Sequence, residues 1–414
     1  MYQVLDRESA CDYLRSIPAV VEVLGSADSL QVAEIGDGNL NFVYRVSSLN
    51  DASRSVILKQ AVPYLRMVGE EWPLARDRMT YEIRALTVYN QLVPDFVPCI
   101  YHADESMSTL VMQCLDDHII LRHGLIAGEQ YPDVGFHIGK FLAETLFRTS
   151  AFSMDSQARR QLMDRFTLNA ELCKLTEEFI FTFPYMEHHS NYSNLLTDQW
   201  ARENLRNNSE YKLNVLKFKE LFITKTDALL HADLHTGSLM VNQSESYVID
   251  MEFSYFGPFG FDIGQIMANF WLCATSHLHR STNHDMVNWL IDQTRVVWQV
   301  FSSQFLKLWF EATESAMLVP EFLNKTELDD YKGRFMQKLL QETMGFAACC
   351  VARRTLGIAG VADIRDVEDL EVRSKLEIIN LKLSMLLMKR HDSVIDIEDV
   401  VTLISDFYRA QPNI

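Results

Sequence analysis

The hydrophobic period of this chain switches from about two residues to about 3.6 near residues 114–118, so its fold must join a small sheet to a larger helical body. Ahead of the switch, segments 31–35, 42–47 and 55–59 are short β-branched or aromatic runs punctuated by Gly36, Gly38 and the polar Asn50-Asp51 turn, which predicts a meander. The spacing of Met79, Ile83, Leu86, Tyr89, Asn90 and Val93 predicts a helix over 77–93, closed by Pro94. Strands over 99–103 and 109–114 complete the sheet, with that one helix against it. Beyond residue 117 the pattern predicts long helices over 134–147, 286–308, 331–353, 376–388 and 394–408, interrupted by a short strand group at 228–249. The fold class expected is α+β and bilobal: a small N-terminal lobe, residues 1–114, and a larger, mostly helical lobe, residues 115–414. Apolar stripes after residue 376, such as Leu381, Leu383, Met385 and Leu386, are expected to pack inside rather than face a partner.

At 414 residues, 48% hydrophobic and 23% charged, the chain can bury a large core and has the composition of a folded globular protein. Its 38 basic and 56 acidic residues leave a net charge of −18, which repels phosphate backbones and anionic headgroups and disfavours nucleic-acid or membrane-surface roles. The same charge leaves cationic substrates open. Seven cysteines without a C-x-x-C pair suggest neither a disulfide framework nor a zinc knuckle, and are expected as reduced, mostly buried thiols. Residues 1–16 carry Asp6, Arg7, Glu8, Asp12 and Arg15 and lack the apolar region of a secretory signal. Segment 263–279 holds Gln265, Asn269, Thr275 and Ser276, a poor match to about 20 apolar residues spanning a bilayer, so a cytoplasmic location is expected.

Three motifs carry chemistry. Gly36-Asp37-Gly38-Asn39-Leu40-Asn41 lies between two predicted strands, where a glycine turn can lay backbone N–H groups over phosphates; a plain hairpin turn is the alternative. Lys59 ends the run Val56-Ile57-Leu58, which suits an amine aimed at phosphates, with Glu82 on the next helix as its orienting partner; a solvated lysine is the alternative. The third motif is His231-Ala232-Asp233-Leu234-His235-Thr236-Gly237-Ser238, followed by Asp250-Met251-Glu252. Acid-rich turns at the ends of two adjacent strands would gather Asp233, Asp250 and Glu252, like charges that a bound cation would hold together. If residues 231–235 formed a strand, His231, Asp233 and His235 would share one face, which admits a transition-metal site and a metallohydrolase instead. The pair Arg353-Arg354 follows the apolar run 346–351 and offers planar donors for phosphate oxygens, unless it is simply a solvated helix end.

Taken in order, glycine turn, strand lysine, helix glutamate, H-x-D loop and a second aspartate seventeen residues on match a protein-kinase-like phosphotransferase layout. Asp233 would then orient a substrate hydroxyl and Asp250 would hold Mg²⁺ on the phosphates of ATP. Ser238 stands where protein kinases place a metal-binding asparagine, and Glu252 is read as the compensating metal ligand. Together with Lys59-Gln60-Ala61, Gly69-Glu70-Glu71-Trp72-Pro73, Phe256-Gly257-Pro258-Phe259-Gly260-Phe261-Asp262-Ile263-Gly264 and Arg353-Arg354, these motifs resemble the methylthioribose kinases, from about residue 30 to about 375. The resemblance implies ATP-dependent phosphorylation of the 1-hydroxyl of methylthioribose in methionine salvage, with Mg²⁺, and a homodimer. It implies an ATP site of Gly36, Gly38, Asn39, Asn41, Lys59, Glu82, Asp250, Met251 and Glu252, with Gln113, Cys114 and Leu115 as the adenine hinge. It further implies metal ligation by Asp250, Glu252 and Ser238, a sugar site of Asp233, Arg353 and Arg354, and a loop around Trp72 closing near the nucleotide.

Three positions depart from that pattern: Ala232 for a glycine, Met251 for a proline, and Gly360 for a histidine. An alanine at position 232 with negative φ would stiffen the loop, whereas Gly360 bears on the sugar pocket. The rivals are an aminoglycoside or choline phosphotransferase, disfavoured by the arginine pair; a metallohydrolase, which leaves the glycine turn and Lys59 unused; and a nucleotide-binding pseudokinase.

Overall fold

The computed structural model describes residues 2–25, 29–35, 40–66, 69–191, 194–281, 284–312, 315–319, 321–412 and 414. Strands β1 (Leu30–Glu34), β2 (Asn41–Ser48), β3 (Ser55–Ala61), β6 (Ile100–Asp104) and β7 (Thr109–Gln113) form one antiparallel sheet in the order β1-β2-β3-β7-β6. A hairpin of β4 (Tyr64–Leu65) and β5 (Gly69–Pro73) projects beside it and carries Trp72. The helix predicted over 77–93 is α3 (Arg78–Leu92).

β3 is buried along its whole length, because both faces of the sheet are covered. Ile57 and Ala61 pack with Met79, Ile83, Leu86 and Tyr89 of α3. Val56 and Leu58 point the other way, into a second core built by α1 (Arg7–Arg15) and α2 (Pro18–Leu24) through Ala10, Leu14, Val20 and Leu24. The expectation of a single helix against the sheet is therefore corrected. Asp6 caps α1 with a capping box, and Pro18 opens α2. Lys59 also sits inside β3, two residues short of its end, rather than ending it.

The remainder is mostly helical. It contains β8 (Ile119–Ile120), α4 (Leu121–Ile126), α5 (Val134–Arg148), α6 (Ser156–Asp164), α7 (Ala170–Phe179), α8 (Leu195–Ala201) and α9 (Ser209–Thr224). After the short strands β9 (Ala228–Leu230), β10 (Leu239–Val241), β11 (Ser246–Val248) and β12 (Tyr255–Gly257) come α10 (Gly260–Arg280), α11 (Asp285–Glu311) and α12 (Lys325–Leu356). The chain closes with α13 (Ala362–Arg365), α14 (Leu370–Arg390) and α15 (Ile397–Arg409). The predicted strand group divides between two small sheets, β11-β10-β8 and β12-β9, so β9 and β11 are not paired neighbours as anticipated.

α10 is the axis of this part. Every residue from Gly260 to Leu278 is buried, which is why its sequence carries no amphipathic stripe. Gly260 and Gly264 let its backbone approach α12: a Cβ at Gly264 would lie 2.6 Å from the Thr343 carbonyl oxygen and 2.9 Å from the Ala347 nitrogen. α12 starts at a capping box between Asn324 and Glu327 and delivers Arg353 and Arg354 in its last turn, where the helix dipole favours cations. Leu381 and Leu383 of α14 are fully buried, as the stripes predicted. Among the described residues no helix is long and apolar enough to cross a membrane. The cysteines are all free, but only Cys273, Cys349 and Cys350 are buried; Cys11, Cys114 and Cys173 are half-buried and Cys99 is exposed.

Candidate active site

The site lies where β3 and α3 meet the turns after β9 and β11. Lys59 projects from β3 on its α3 face, and its ammonium lies 2.8 Å from Glu82 Oε1 and also pairs with Asp250. Burial alone would lower the lysine pKa, but Asp250, Glu82 and Glu252 raise it, so it remains an ammonium. Burial pushes the Asp250 carboxyl up, and the stronger pull of Lys59 leaves it below the usual carboxylate range. The alternative of a solvated lysine is excluded by its 7% side-chain exposure.

Gly36, Gly38 and Asn39 lie outside the described residues. Asn41, the last residue of that motif, opens β2 and is buried. It donates from Nδ2 to Glu252 Oε2 at 2.9 Å and accepts from Arg78 Nε at 3.0 Å. Glu252 is only 1% exposed; burial together with Asp250 and Glu82 outweighs Lys59 and Arg78 and pushes its carboxyl up to about 7. Asp250, by contrast, has a side chain 48% exposed, on a backbone with φ 71°. Met251 between them is buried.

The catalytic-type loop is not a strand. β9 ends at Leu230, and His231, Asp233 and His235 follow in a turn region. His231 faces the Ile249 carbonyl with Nε2 at 2.9 Å and accepts the Asp233 N–H with Nδ1 at 3.2 Å, so both ring nitrogens are engaged in holding the loop. His235 Nδ1 accepts the Gly237 N–H at 2.9 Å and lies 3.3 Å from Arg122 Nη2. No group of three or more His, Cys, Asp or Glu able to hold a metal occurs among the described residues. The metallohydrolase reading therefore loses its ligand set. Ser238 is buried and its hydroxyl braces the loop, donating toward the carbonyls of Asp233 and His235 and accepting the His235 N–H at 2.9 Å.

Ala232 has φ 66°, not the negative value expected. A left-handed alanine is strained by roughly 1–2 kcal/mol, and the fold holds it there from both sides. Asp262 on α10 accepts the N–H groups of His231 at 2.8 Å and Ala232 at 2.9 Å, while Gln265 donates to the Ala232 carbonyl at 3.1 Å.

Asp233 faces the arginine pair. Arg354 Nη2 donates to Asp233 Oδ1 at 3.1 Å, Arg353 Nη1 lies 3.7 Å from the same oxygen, and His235 Nε2 lies 3.3 Å from Oδ2. Burial and the neighbouring arginine press His235 down to about 4, so it is neutral at neutral pH. Burial opposes ionisation of Asp233, and His235 together with Arg354 and Arg353 overcomes it, holding the carboxyl well below the usual range. The arginines are no solvated helix end: their side chains are 11% and 6% exposed. Arg353 keeps Nε and Nη1 buried without a hydrogen-bond partner, and burial beside Arg354 pushes it down to about 10. At Gly360, a Cβ would lie 2.2 Å from Arg365 Nε, so Arg365 fills the space of a side chain there and donates to the carbonyls of Thr355 and Gly357.

Gln113 ends β7, with its N–H donating to the Cys99 carbonyl; Cys114 Sγ donates to Asp116, and Leu115 is buried where the chain passes to the helical part. Trp72 lies against Phe179 of α7 with its ring tilted by 35° and the centroids 6.3 Å apart. The sequence reading missed Arg78, Asn169, Arg122 and Asp262. Asp262 alone carried a signal, inside the Phe261-Asp262-Ile263-Gly264 motif.

The chain is similar to known proteins. Residues 31–277 match the phosphotransferase enzyme family. Methylthioribose kinase 1 of Oryza sativa subsp. japonica is 36% identical, covering 99% of this chain and 96% of that protein. A methylthioribose kinase of Bacillus cereus strain G9842 is 40% identical, covering 89% of this chain and 90% of its own. Among solved structures, Plasmodium vivax ethanolamine kinase overlaps 92% of this chain and 89% of its own at 13% identity and a TM-score of 0.49. With relatives this similar along nearly the whole chain, and with the lysine, the H-x-D loop and the arginine pair assembled as one site, the chain belongs to the phosphotransferase enzyme family and, within it, to the methylthioribose kinases.

Proposed function

We propose that the chain transfers the γ-phosphoryl group of ATP to the 1-hydroxyl of 5-methylthioribose, giving methylthioribose 1-phosphate and ADP in methionine salvage. The observation that carries this reading is Asp233 pinned by Arg354 beside an Arg353 whose buried Nε and Nη1 await an acceptor, on the far side of the cleft from the Lys59–Glu82 pair. Residues 1–114 serve as the ATP-binding lobe and 115–414 as the catalytic and sugar-binding lobe. ATP is bound through Gly36, Gly38 and Asn39, with adenine at Gln113, Cys114 and Leu115 and with Met251 among the residues of the site. Lys59, oriented by Glu82, faces the phosphates.

Asp250 and Glu252 fit magnesium: both offer hard oxygen donors, Asp250 faces the cleft, and Mg²⁺ commonly takes one or two carboxylates together with substrate phosphates. When bound, the ion neutralises phosphate charge. Ser238 supports this pair as a loop brace. Asp233, kept ionised by Arg354, accepts a hydrogen bond from the sugar hydroxyl and directs its lone pair at phosphorus; the hydroxyl proton passes to the carboxylate late, as the O–P bond forms. Arg353 donates to the oxygens on which charge develops. The protein acts as a homodimer in the cytoplasm, the dimer resting on the family resemblance alone.

The test is to incubate the protein with Mg-ATP and methylthioribose and follow ADP. Turnover that depends on the thioribose is expected, and Asp233→Ala lowers it by about 10² to 10⁴ while ADP still binds. Turnover on choline or an aminoglycoside but not on methylthioribose refutes the reading.

A further inference from the structure

Arg78 is among the largest side chains the protein buries completely, at 1% exposure, yet it is the first residue of helix α3. Burying a guanidinium costs several kcal/mol unless its donors are met, and here they are met by three separate stretches of chain. Nη2 donates to the Leu40 carbonyl at 2.9 Å, one residue before β2. Nη1 donates to the Ala75 carbonyl at 2.6 Å and lies 3.4 Å from the Leu74 carbonyl, just past the hairpin that carries Trp72. Nε donates to Asn41 Oδ1 at 3.0 Å and stands 3.5 Å from Glu252 Oε2, the same oxygen that accepts Asn41 Nδ2. The Glu252 carbonyl is in turn held by Asn169 Nδ2 at 2.9 Å. A lysine could not replace this fork, because a single ammonium cannot reach three directions in one plane.

We propose that Arg78 is a positioning residue for the nucleotide. Its guanidinium sets the spacing between the start of β2, the Trp72 hairpin and the Glu252 carboxylate, so that the metal-binding groups are held in register. It touches neither phosphate nor sugar. The inference rests on the reading of Asp250 and Glu252 as the magnesium pair, and it predicts a selective defect: loss of Arg78 weakens what magnesium adds to nucleotide binding and leaves the sugar site intact.

The experiment compares wild type with Arg78→Lys and Asn41→Ala by titration calorimetry of ADP with and without Mg²⁺, alongside steady-state kinetics. Arg78→Lys is expected to keep its circular-dichroism spectrum, to bind metal-free ADP as wild type does, and to lose about tenfold of the affinity that Mg²⁺ adds. The KM for ATP should rise by about the same factor, with the KM for the sugar unchanged. Asn41→Ala severs the same link from the other side, so the double variant should be no worse than the poorer single one. Equal loss of metal-free and Mg-dependent ADP affinity, or additive effects of the two substitutions, overturns the positioning role. If Mg²⁺ adds nothing to ADP binding in the wild type, the magnesium reading fails instead, and absence of turnover on methylthioribose tells only against the substrate assignment.

Discussion

Adding a single methyl group at Gly264 tests whether the contact between α10 and α12 governs the site. In Gly264→Ala the new Cβ meets the Thr343 carbonyl oxygen at 2.6 Å, the Ala347 nitrogen at 2.9 Å and the Phe346 Cβ at 3.1 Å. Ordinary contact needs roughly 3.5 Å, and the two closest atoms are backbone, so no rotamer change can relieve the clash. The helices must separate locally by a little under about 1 Å, and overpacking of this kind costs about 1–3 kcal/mol. With an unfolding entropy of about 2.1 cal/mol/K per residue, a chain of this length loses about 1–3 °C in Tm. The functional effect should be larger than the thermal one. α10 carries Asp262, which holds the His231 and Ala232 N–H groups, whereas α12 carries the arginines that face Asp233. Displacing one against the other by that distance is worth up to about 100-fold in kcat. Gly333→Ala, on the partner helix α12, is the control: nothing outside the helix backbone lies within 4 Å of its Cβ, so it should gain about 0.5–1 kcal/mol of helix stability and keep wild-type turnover. Calorimetry and ADP release read both variants. A Gly264→Ala enzyme with unaltered Tm and kcat, or a Gly333→Ala enzyme equally impaired, refutes the reasoning.

Lys59→Met leaves Glu82 and Asp250 without their shared cation, and should raise the KM for ATP and lower kcat by about 10²-fold, read in kinetics at varied ATP. Ala232→Val places a β-branched side chain at φ 66° and should cost at least about 2 kcal/mol in denaturant unfolding, whereas Ala232→Gly trades relieved strain against unfolded-state freedom and stays within about 1 kcal/mol of wild type. His235 is pressed down to about 4 from its ordinary 6.5, so its contribution to stability is complete above pH 6.5 and is lost as pH falls toward 4. At 1.36 kcal/mol per pH unit that amounts to about 3 kcal/mol, and His235→Asn should flatten the decline in Tm over that window.

Some parts of the fold are visible in the sequence because their burial is one-sided. α5 and α15 show an apolar stripe because they cover the core from outside, and their spans were readable within a few residues. α10 was not recognised as a helix, since burial on every side removes the polar face that periodicity needs. α1 and α2 escaped for the opposite reason: they are short, and α1 is mostly polar, holding to the sheet by a few residues such as Ala10 and Leu14. At the site, Lys59, Asp233 and Asp250 were legible because their chemistry is written in short motifs. Arg78, Asn169 and Arg122 were not, because their meaning comes from partners far along the chain, such as Glu252 for Asn169 and Asp363 for Arg122. The sign of φ at Ala232 left no trace in composition; it is imposed from α10 by Asp262 and Gln265.

The overall charge of −18 admitted cationic substrates, and the local arrangement around Asp233 removes that implication. A carboxylate that serves an amine must offer its charge to the ligand. Here Asp233 already spends one oxygen on Arg354, with Arg353 close behind it, so the net charge of the three side chains is +1. His235, neutral at neutral pH, adds no anion to the other oxygen. A quaternary ammonium or an aminoglycoside amine would therefore meet two buried guanidiniums, both with unfilled donors, at an interior site where screening is weak. A neutral sugar meets the opposite situation: its hydroxyls can accept from Arg353 and donate to Asp233, and the product phosphate is anionic and matched by the same donors. The acidic surplus thus belongs to the surface and to the cluster around Lys59, while the side chains around Asp233 are locally positive. That separation of sign is the physical ground on which the arginine pair favours a sugar over an amine.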